Sequence, residues 1–224
     1  MIKLKWRILF VTAEKIATYI DHTQLKAFCD WNQIQSLCDE AIKYHTASVC
    51  IPSCFIKRIK EKYGDALTIC TVVGFPLGYC NTEAKVAETK QALLDGADEI
   101  DMVINITDVK NGDYQKVEEE IATLKAVCGD KILKVIIETC YLTEEEKIAM
   151  CKAVTNAKAD YIKTSTGFGT AGATLEDIAL MKANIGPNVK IKAAGGIRTK
   201  EAMENYIEAG CSRVGCSSTS VLFE

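Results

Sequence analysis

Ala159-Asp160-Tyr161-Ile162-Lys163 reads as the end of a helix running into a short strand, and the same signature occurs three more times. The others are Ala47-Ser48-Val49-Cys50-Ile51, Ala97-Asp98-Glu99-Ile100-Asp101 and Cys211-Ser212-Arg213-Val214-Gly215. Each is a small residue, then Ser or Asp, then a β-rich run, and their first residues lie 50, 62 and 52 positions apart. That spacing is about two strand–helix units, so these segments are expected as strands 2, 4, 6 and 8 of a repeating fold. Alternate strands of a (β/α)8 barrel send side chains into the same interior layer. On this register Asp101 and Lys163 are equivalent, and if one points inward so does the other.

Four further apolar runs, near Ala17–Ile20, Leu67–Val73, Ile132–Ile137 and Val189–Ala193, complete a set of eight expected strands. Amphipathic stretches such as Asn81–Leu94, Asp113–Val127 and Thr143–Ala157 lie between them. Thr143, with Glu146 three residues later, has the form of a capping box. Strict β/α alternation implies a parallel sheet. The expectation is an α/β protein forming a single (β/α)8 TIM-barrel domain over residues 1–224, with a short N-terminal helical extension at 1–16. A doubly wound open sheet is the alternative.

Composition narrows the functional classes. The chain has 224 residues, 48% of them apolar, with 27 Lys+Arg against 30 Asp+Glu and a net charge of −3. That balance argues against disorder and against nucleic-acid binding by bulk charge. No apolar run approaches the ~20 residues of a membrane helix. The opening stretch has basic residues and then Ile8 to Val11, an apolar run too short for a signal peptide. There are 11 cysteines, an odd number without a disulfide or zinc spacing, and only 2 histidines. Reduced cysteines used as small apolar residues, in a cytoplasmic protein that binds no metal, are the expectation.

Chemistry enters with lysines in apolar strands. Lys163 closes Asp160-Tyr161-Ile162-Lys163, and Lys192 repeats the oddity in Val189-Lys190-Ile191-Lys192. A lysine reaching solvent from a strand end is the bland alternative. Lys190 and Lys192 share a face by period two, and Lys192 is nearer the C-terminal end, where barrel active sites sit. Two lysines on neighbouring strands repel, and repulsion with partial burial disfavours the ammonium form. A free lysine titrates near ~10.4, whereas a cationic neighbour can bring one to ~7–8, where the amine attacks carbonyls. Asp101 is placed to supply the matching carboxylate. A purely structural ion pair is the alternative, although such pairs are weak contributors to stability.

Glycine-bearing loops follow expected strands 6, 7 and 8, at Thr164-Ser165-Thr166-Gly167, Ala194-Gly195-Gly196 and Gly215-Cys216-Ser217-Ser218. Backbone N–H groups in such loops cradle phosphate, although tight turns also require glycine. Asp21-His22-Thr23 and Glu138-Thr139 end expected strands 1 and 5, and either face the site mouth or serve as loop polar groups and caps. His22 has no nucleophile beside it in sequence and receives no catalytic role.

Tyr-Ile-Lys-Thr-Ser-Thr-Gly-Phe at 161–168, Lys-Ala-Ala-Gly-Gly-Ile-Arg at 192–198, Glu-Ile-Asp-Met-Val-Ile-Asn at 99–105, Tyr-Ile-Asp-His-Thr at 19–23 and Lys-Val-Ile-Ile-Glu-Thr at 134–139 resemble the deoxyribose-phosphate aldolase family. The match runs from about Ala17 to Ser218. The resemblance implies a TIM barrel and a class I aldolase without metal or other cofactor. Its substrate would be a small phosphorylated sugar, 2-deoxy-D-ribose 5-phosphate, cleaved reversibly to glyceraldehyde 3-phosphate and acetaldehyde. It implies that Lys163 forms the Schiff base, Lys192 perturbs it, and Asp101 relays protons with Lys192. Gly167, Gly195, Gly196, Ser217 and Ser218 match phosphate-binding loops, and Asp21, Thr23 and Thr164 are further substrate-binding candidates. A homodimer or higher homo-oligomer is common among such barrels. The first fourteen or so residues lack a family match, and the chain ends at Glu224 without the longer, tyrosine-terminated tail of some members.

Two other readings fit part of the pattern. A barrel epimerase acting on a sugar phosphate requires a metal or a carboxylate pair. A catalytically silent barrel binding phosphorylated ligands or a protein partner leaves the paired lysines unexplained.

Overall fold

In the computed structural model, which describes residues 12–223, eight short strands pair side by side in chain order and the eighth returns to the first. They are β1 (Ile20–Thr23), β2 (Ser48–Ile51), β3 (Ile69–Val73), β4 (Glu99–Val103), β5 (Ile132–Ile136), β6 (Tyr161–Lys163), β7 (Lys190–Ala193) and β8 (Arg213–Cys216). Every pairing is parallel, including β1 with β8, so the sheet is a closed (β/α)8 barrel and not an open doubly wound sheet.

Helices α1 (Ala13–Ala17), α2 (Trp31–Tyr44), α3 (Ile56–Tyr63), α4 (Thr82–Asp95), α5 (Ile106–Lys110), α6 (Tyr114–Cys128), α7 (Glu144–Asn156), α8 (Leu175–Asn184) and α9 (Lys200–Ala209) lie between or before the strands. The Thr143–Glu146 capping box opens α7 as its spacing predicts, and Asp30 with Gln33 does the same for α2. The first strand begins later than the apolar run at Ala17–Ile20 suggests. Thr12 caps α1, which takes up Ala17, and the strand starts only at Ile20. Residues 1–11 of the expected extension lie outside the described residues.

The two faces of the barrel wall differ in chemistry. Outward-facing Val49, Ile69, Ile100, Met102, Leu133, Val135, Ile162, Ile191 and Val214 form one apolar core with Ile34, Leu124, Met150, Ile178 and Met203 of the helices. Burial of each such side chain contributes about 1.5–3 kcal/mol. Stability is thus supplied between wall and helices, and the inner face is left free to carry charge.

The repeated strand entry has a physical cause. Asp98 Oδ2 accepts the Ile69 N–H at 3.2 Å, and Asp160 Oδ2 accepts the Leu133 N–H at 2.8 Å, each tying a strand to its predecessor. Lys131 and Lys125 neutralise these carboxylates. At β2 the repeat slips by one residue, a correction to the register expected from sequence. The Ala47 N–H donates to the Ile20 carbonyl, the bond that Asp98 makes to Ile69, Asp160 to Leu133 and Ser212 to Ile191. Ser48 and Cys50 therefore face inward, and Val49 and Ile51 pack against the helices. The equivalence of Asp101 and Lys163 is unaffected.

Candidate active site

The inner face holds a buried ionic cluster. Asp101 and Lys134 are direct partners across β4 and β5, as are Lys163 and Lys192 across β6 and β7. Three ammonium groups converge on Asp101: Lys134 on Oδ1 at 2.8 Å, Lys163 on Oδ2 at 2.8 Å and Lys192 on Oδ2 at 2.7 Å. Lys192 also meets Asp21, and Lys134 meets Glu99 at 2.6 Å. Arg213 closes the lower layer with bonds to Asp21 at 2.6 Å and to Glu99 at 2.8 and 3.0 Å. None of these side chains except Arg213 is more than 4% exposed.

The electrostatics follow from this packing. Burial alone would raise the Asp101 carboxyl, but Lys134, Lys163 and Lys192 together hold it well below the usual carboxylate range. Asp21 is likewise buried, and Lys192, Lys134 and Arg213 hold its carboxyl low. Burial opposes the charged forms of Lys134 and Lys192, yet the surrounding carboxylates push both upward, Asp101 most strongly. The cluster sets four basic side chains against three carboxylates, an excess of one positive charge.

Cys50, Cys70 and Asp101 lie close enough together to share a cation, as do Asp21, Cys70 and Glu99. Those carboxylates are already occupied by ammonium and guanidinium groups, and burial pushes the Cys70 thiol up. The donor set does not fit a metal ion.

Above the cluster opens a cavity of about 340 Å³, lined by Thr23, Lys26, Lys163, Gly167, Gly195, Gly196 and Ser217 among others. Lys163 is the member of the ionic cluster that lines it. The loops after β6 and β7 touch backbone to backbone, since a Cβ on Gly172 would sit 2.0 Å from the Gly195 carbonyl oxygen. Gly195 and Gly196 have φ of +89° and +77°, a region open to glycine, and both line the cavity. Glu138, itself at φ +52°, accepts the N–H and hydroxyl of Thr166 and pins the start of the β6 loop. Burial raises its carboxyl above the ordinary range, against the pull of Thr166.

The structure thus brings together Lys163, Lys192, Asp101 and Asp21 below the cavity, and Thr23, Gly167, Gly195, Gly196 and Ser217 around it. Two sequence candidates are placed otherwise. Thr164 is fully buried and exchanges hydrogen bonds with the Ala194 backbone at 3.1 and 3.2 Å, so it ties the β6 loop to the β7 loop. Ser218 does not line the cavity, and its N–H donates to Cys216 Sγ at 3.2 Å. Sequence reasoning assigned no role to Lys134, Glu99 or Arg213. The signal for Lys134 was available, a lysine in the apolar run Ile132-Leu133-Lys134-Val135-Ile136.

A barrel with a strand-borne lysine at the floor of a glycine-lined cavity has the outline of a carbon–carbon lyase, and comparison with known proteins agrees. A family model described as DeoC/LacD family aldolase matches residues 15–217, and the chain belongs to that family. It is 69% identical over 203 residues to the deoxyribose-phosphate aldolase of Clostridium botulinum (strain Alaska E43 / Type E3), covering 91% of this chain and 92% of that relative. It is 57% identical over 199 residues to the deoxyribose-phosphate aldolase of Clostridioides difficile (strain 630), covering 89% and 91%. Among solved structures, the tetrameric deoxyribose phosphate aldolase of Aeropyrum pernix superposes with a TM-score of 0.86 at 26% identity, over 95% of this chain and 91% of that one.

Proposed function

We propose that this aldolase cleaves 2-deoxy-D-ribose 5-phosphate reversibly to D-glyceraldehyde 3-phosphate and acetaldehyde through a lysine imine, in deoxyribonucleotide breakdown. The observation that carries the reading is Lys163, whose amine lies on Asp101 beside Lys192 and lines the cavity beneath the loops after β6, β7 and β8. The excess positive charge of the cluster is removed when Lys163 is the free amine, the form that attacks a carbonyl.

The Lys163 amine adds to the C1 aldehyde of the open-chain sugar, and loss of water gives a protonated imine. The C2–C3 bond then breaks. Its electrons pass to the imine nitrogen to give an enamine, and the C3 hydroxyl proton leaves as C3 becomes the aldehyde of glyceraldehyde 3-phosphate. Asp101 and Lys192, which lie below the cavity, relay protons at C3 and at C2 through a water that they hold. Protonation of the enamine at C2 and hydrolysis release acetaldehyde and restore Lys163. The phosphate rests on the Gly167, Gly195, Gly196 and Ser217 backbone, so binding energy remote from C2–C3 positions that bond.

The amine electron sink takes the place of a Lewis acid, and no cofactor has a part in these steps. Among the described residues no helix is long and apolar enough to cross a membrane, and the reading places the enzyme in the cytoplasm. A homo-oligomer is part of the proposal, supported by the tetrameric relative.

The test is direct assay of acetaldehyde release from 2-deoxy-D-ribose 5-phosphate, with and without exhaustive chelation. Release at the same rate in both supports the reading. Absence of release, or a loss restored by added zinc, contradicts it.

A further inference from the structure

His22 and Thr219 lie outside the chemistry described above, yet they bond to each other directly behind the β8 loop. His22 is 2% exposed and is in register with Cys216, the last residue of β8. Its Nε2 lies 3.0 Å from Glu40 Oε2 on α2. An ionised carboxylate only accepts, so Nε2 donates to Glu40. Thr219, fully buried, places its hydroxyl oxygen 2.9 Å from Nδ1, in hydrogen-bond contact with it. Ser217 and Ser218 are exposed and span the interval between Cys216, held in β8, and Thr219, held by His22. The segment beyond is packed down as well, with Leu222 buried and Phe223 stacked on Tyr44 at 4.3 Å.

We infer that His22 is a positioning residue for the phosphate end of the substrate, acting through Thr219 to hold the Ser217–Ser218 loop at the cavity wall. The inference rests on the proposed role of that loop in binding phosphate. Glu40 fixes the ring orientation of His22, and His22 ties down the residue that follows the two serines. Loss of this bond removes the tie between that residue and β1. The Ser217 N–H then loses its fixed direction, which weakens the grip on phosphate and leaves the amine chemistry at Lys163 untouched.

The test compares kcat/KM for 2-deoxy-D-ribose 5-phosphate with kcat/KM for unphosphorylated 2-deoxy-D-ribose in Thr219→Val, Thr219→Ser and Ser217→Asp. Thr219→Val keeps the shape of the side chain and removes the hydroxyl. The expected result is a ratio about 3- to 10-fold lower, as for a lost hydrogen bond, arising from KM for the phosphorylated sugar. Thr219→Ser restores the hydroxyl and most of the ratio. A folded Thr219→Val enzyme whose ratio is unchanged, or whose two activities fall together, overturns the inference. Should that variant not fold, Glu40→Ala at the more exposed end of the relay decides, since it removes the acceptor for Nε2, with a smaller drop in the ratio expected and an unchanged ratio contradicting it. Ser217→Asp separates the two layers of the argument. If it leaves the ratio at the parental value, the phosphate reading of the loop fails. If it lowers the ratio and Thr219→Val does not, the role of His22 alone fails.

Discussion

Lys163 and Lys192 stand opposite each other on β6 and β7 and place both amines on one oxygen of Asp101, at 2.8 and 2.7 Å. Sharing one oxygen couples their protonation, since each ammonium disfavours the other and both are favoured by the carboxylate. Lys192 also touches Asp21, a second carboxylate that Lys163 does not reach by any described bond. That asymmetry sets Lys192 between two carboxylates and leaves Lys163 as the amine that also lines the cavity.

Replacing Lys192 with Leu removes one cation from the cluster and leaves three basic groups against three carboxylates. Lys163 is then the one amine left on Oδ2 of Asp101. Aldol cleavage near neutral pH is expected to fall by at least about 100-fold, in line with the loss of a positioned acid–base group. Part of that loss is expected to return as pH rises. A pH–rate profile of the variant parallel to that of the parent enzyme contradicts this division of roles.

Lys134 carries the same argument to a residue with no loop nearby. Its amine reaches Asp101, Glu99 and, at 3.6 Å, Asp21, all within the buried barrel. Lys134→Met leaves these carboxylates short of a partner. The expected cost is about 3–5 kcal/mol of folding stability, the range for breaking a buried ion pair. Urea unfolding of the two proteins measures it, and a loss below about 1 kcal/mol, typical of surface pairs, contradicts the buried role.

Asp21 and Asp101 give the acid limb of stability. Both carboxyls are held below the ordinary range by neighbouring cations despite burial, whereas an unfolded aspartate titrates near ~3.9. A lowered folded pKa means that the stability they add is present above about pH 4 and is lost as pH falls below it. Melting temperatures followed from pH 7 to 3 are expected to fall steeply at the acid end. Asp21→Asn starts lower at pH 7 and falls less steeply. Parallel curves contradict the assignment.

The charged residues in apolar strands made much of the site legible. Lys163 and Lys192 break apolar runs near their C-terminal ends, Asp101 breaks one in its middle, and strand alternation places them on one face. Lys134 breaks a run in the same way, but its partners come from β1 and β4, and their distance in sequence hides the ion pairs. The repeat located β4, β6 and β8 and misplaced the face of β2, because Ser48 resembles Asp98 in sequence while Ala47 takes its backbone bond. Hydroxyl groups in loops were harder still. Thr164 follows a strand just as Ser217 does, and only the loop backbone decides that the Thr164 hydroxyl bonds within the protein.

The central claim is that Lys163, and not Lys192, carries the substrate. Borohydride reduction in the presence of acetaldehyde traps the imine as a stable ethyl group on nitrogen, and peptide mass mapping locates it. The account predicts the ethyl group on Lys163, in the peptide containing Tyr161-Ile162-Lys163-Thr164, and no trapping in Lys163→Leu at any pH. An ethyl group on Lys192 in the unmutated enzyme contradicts it.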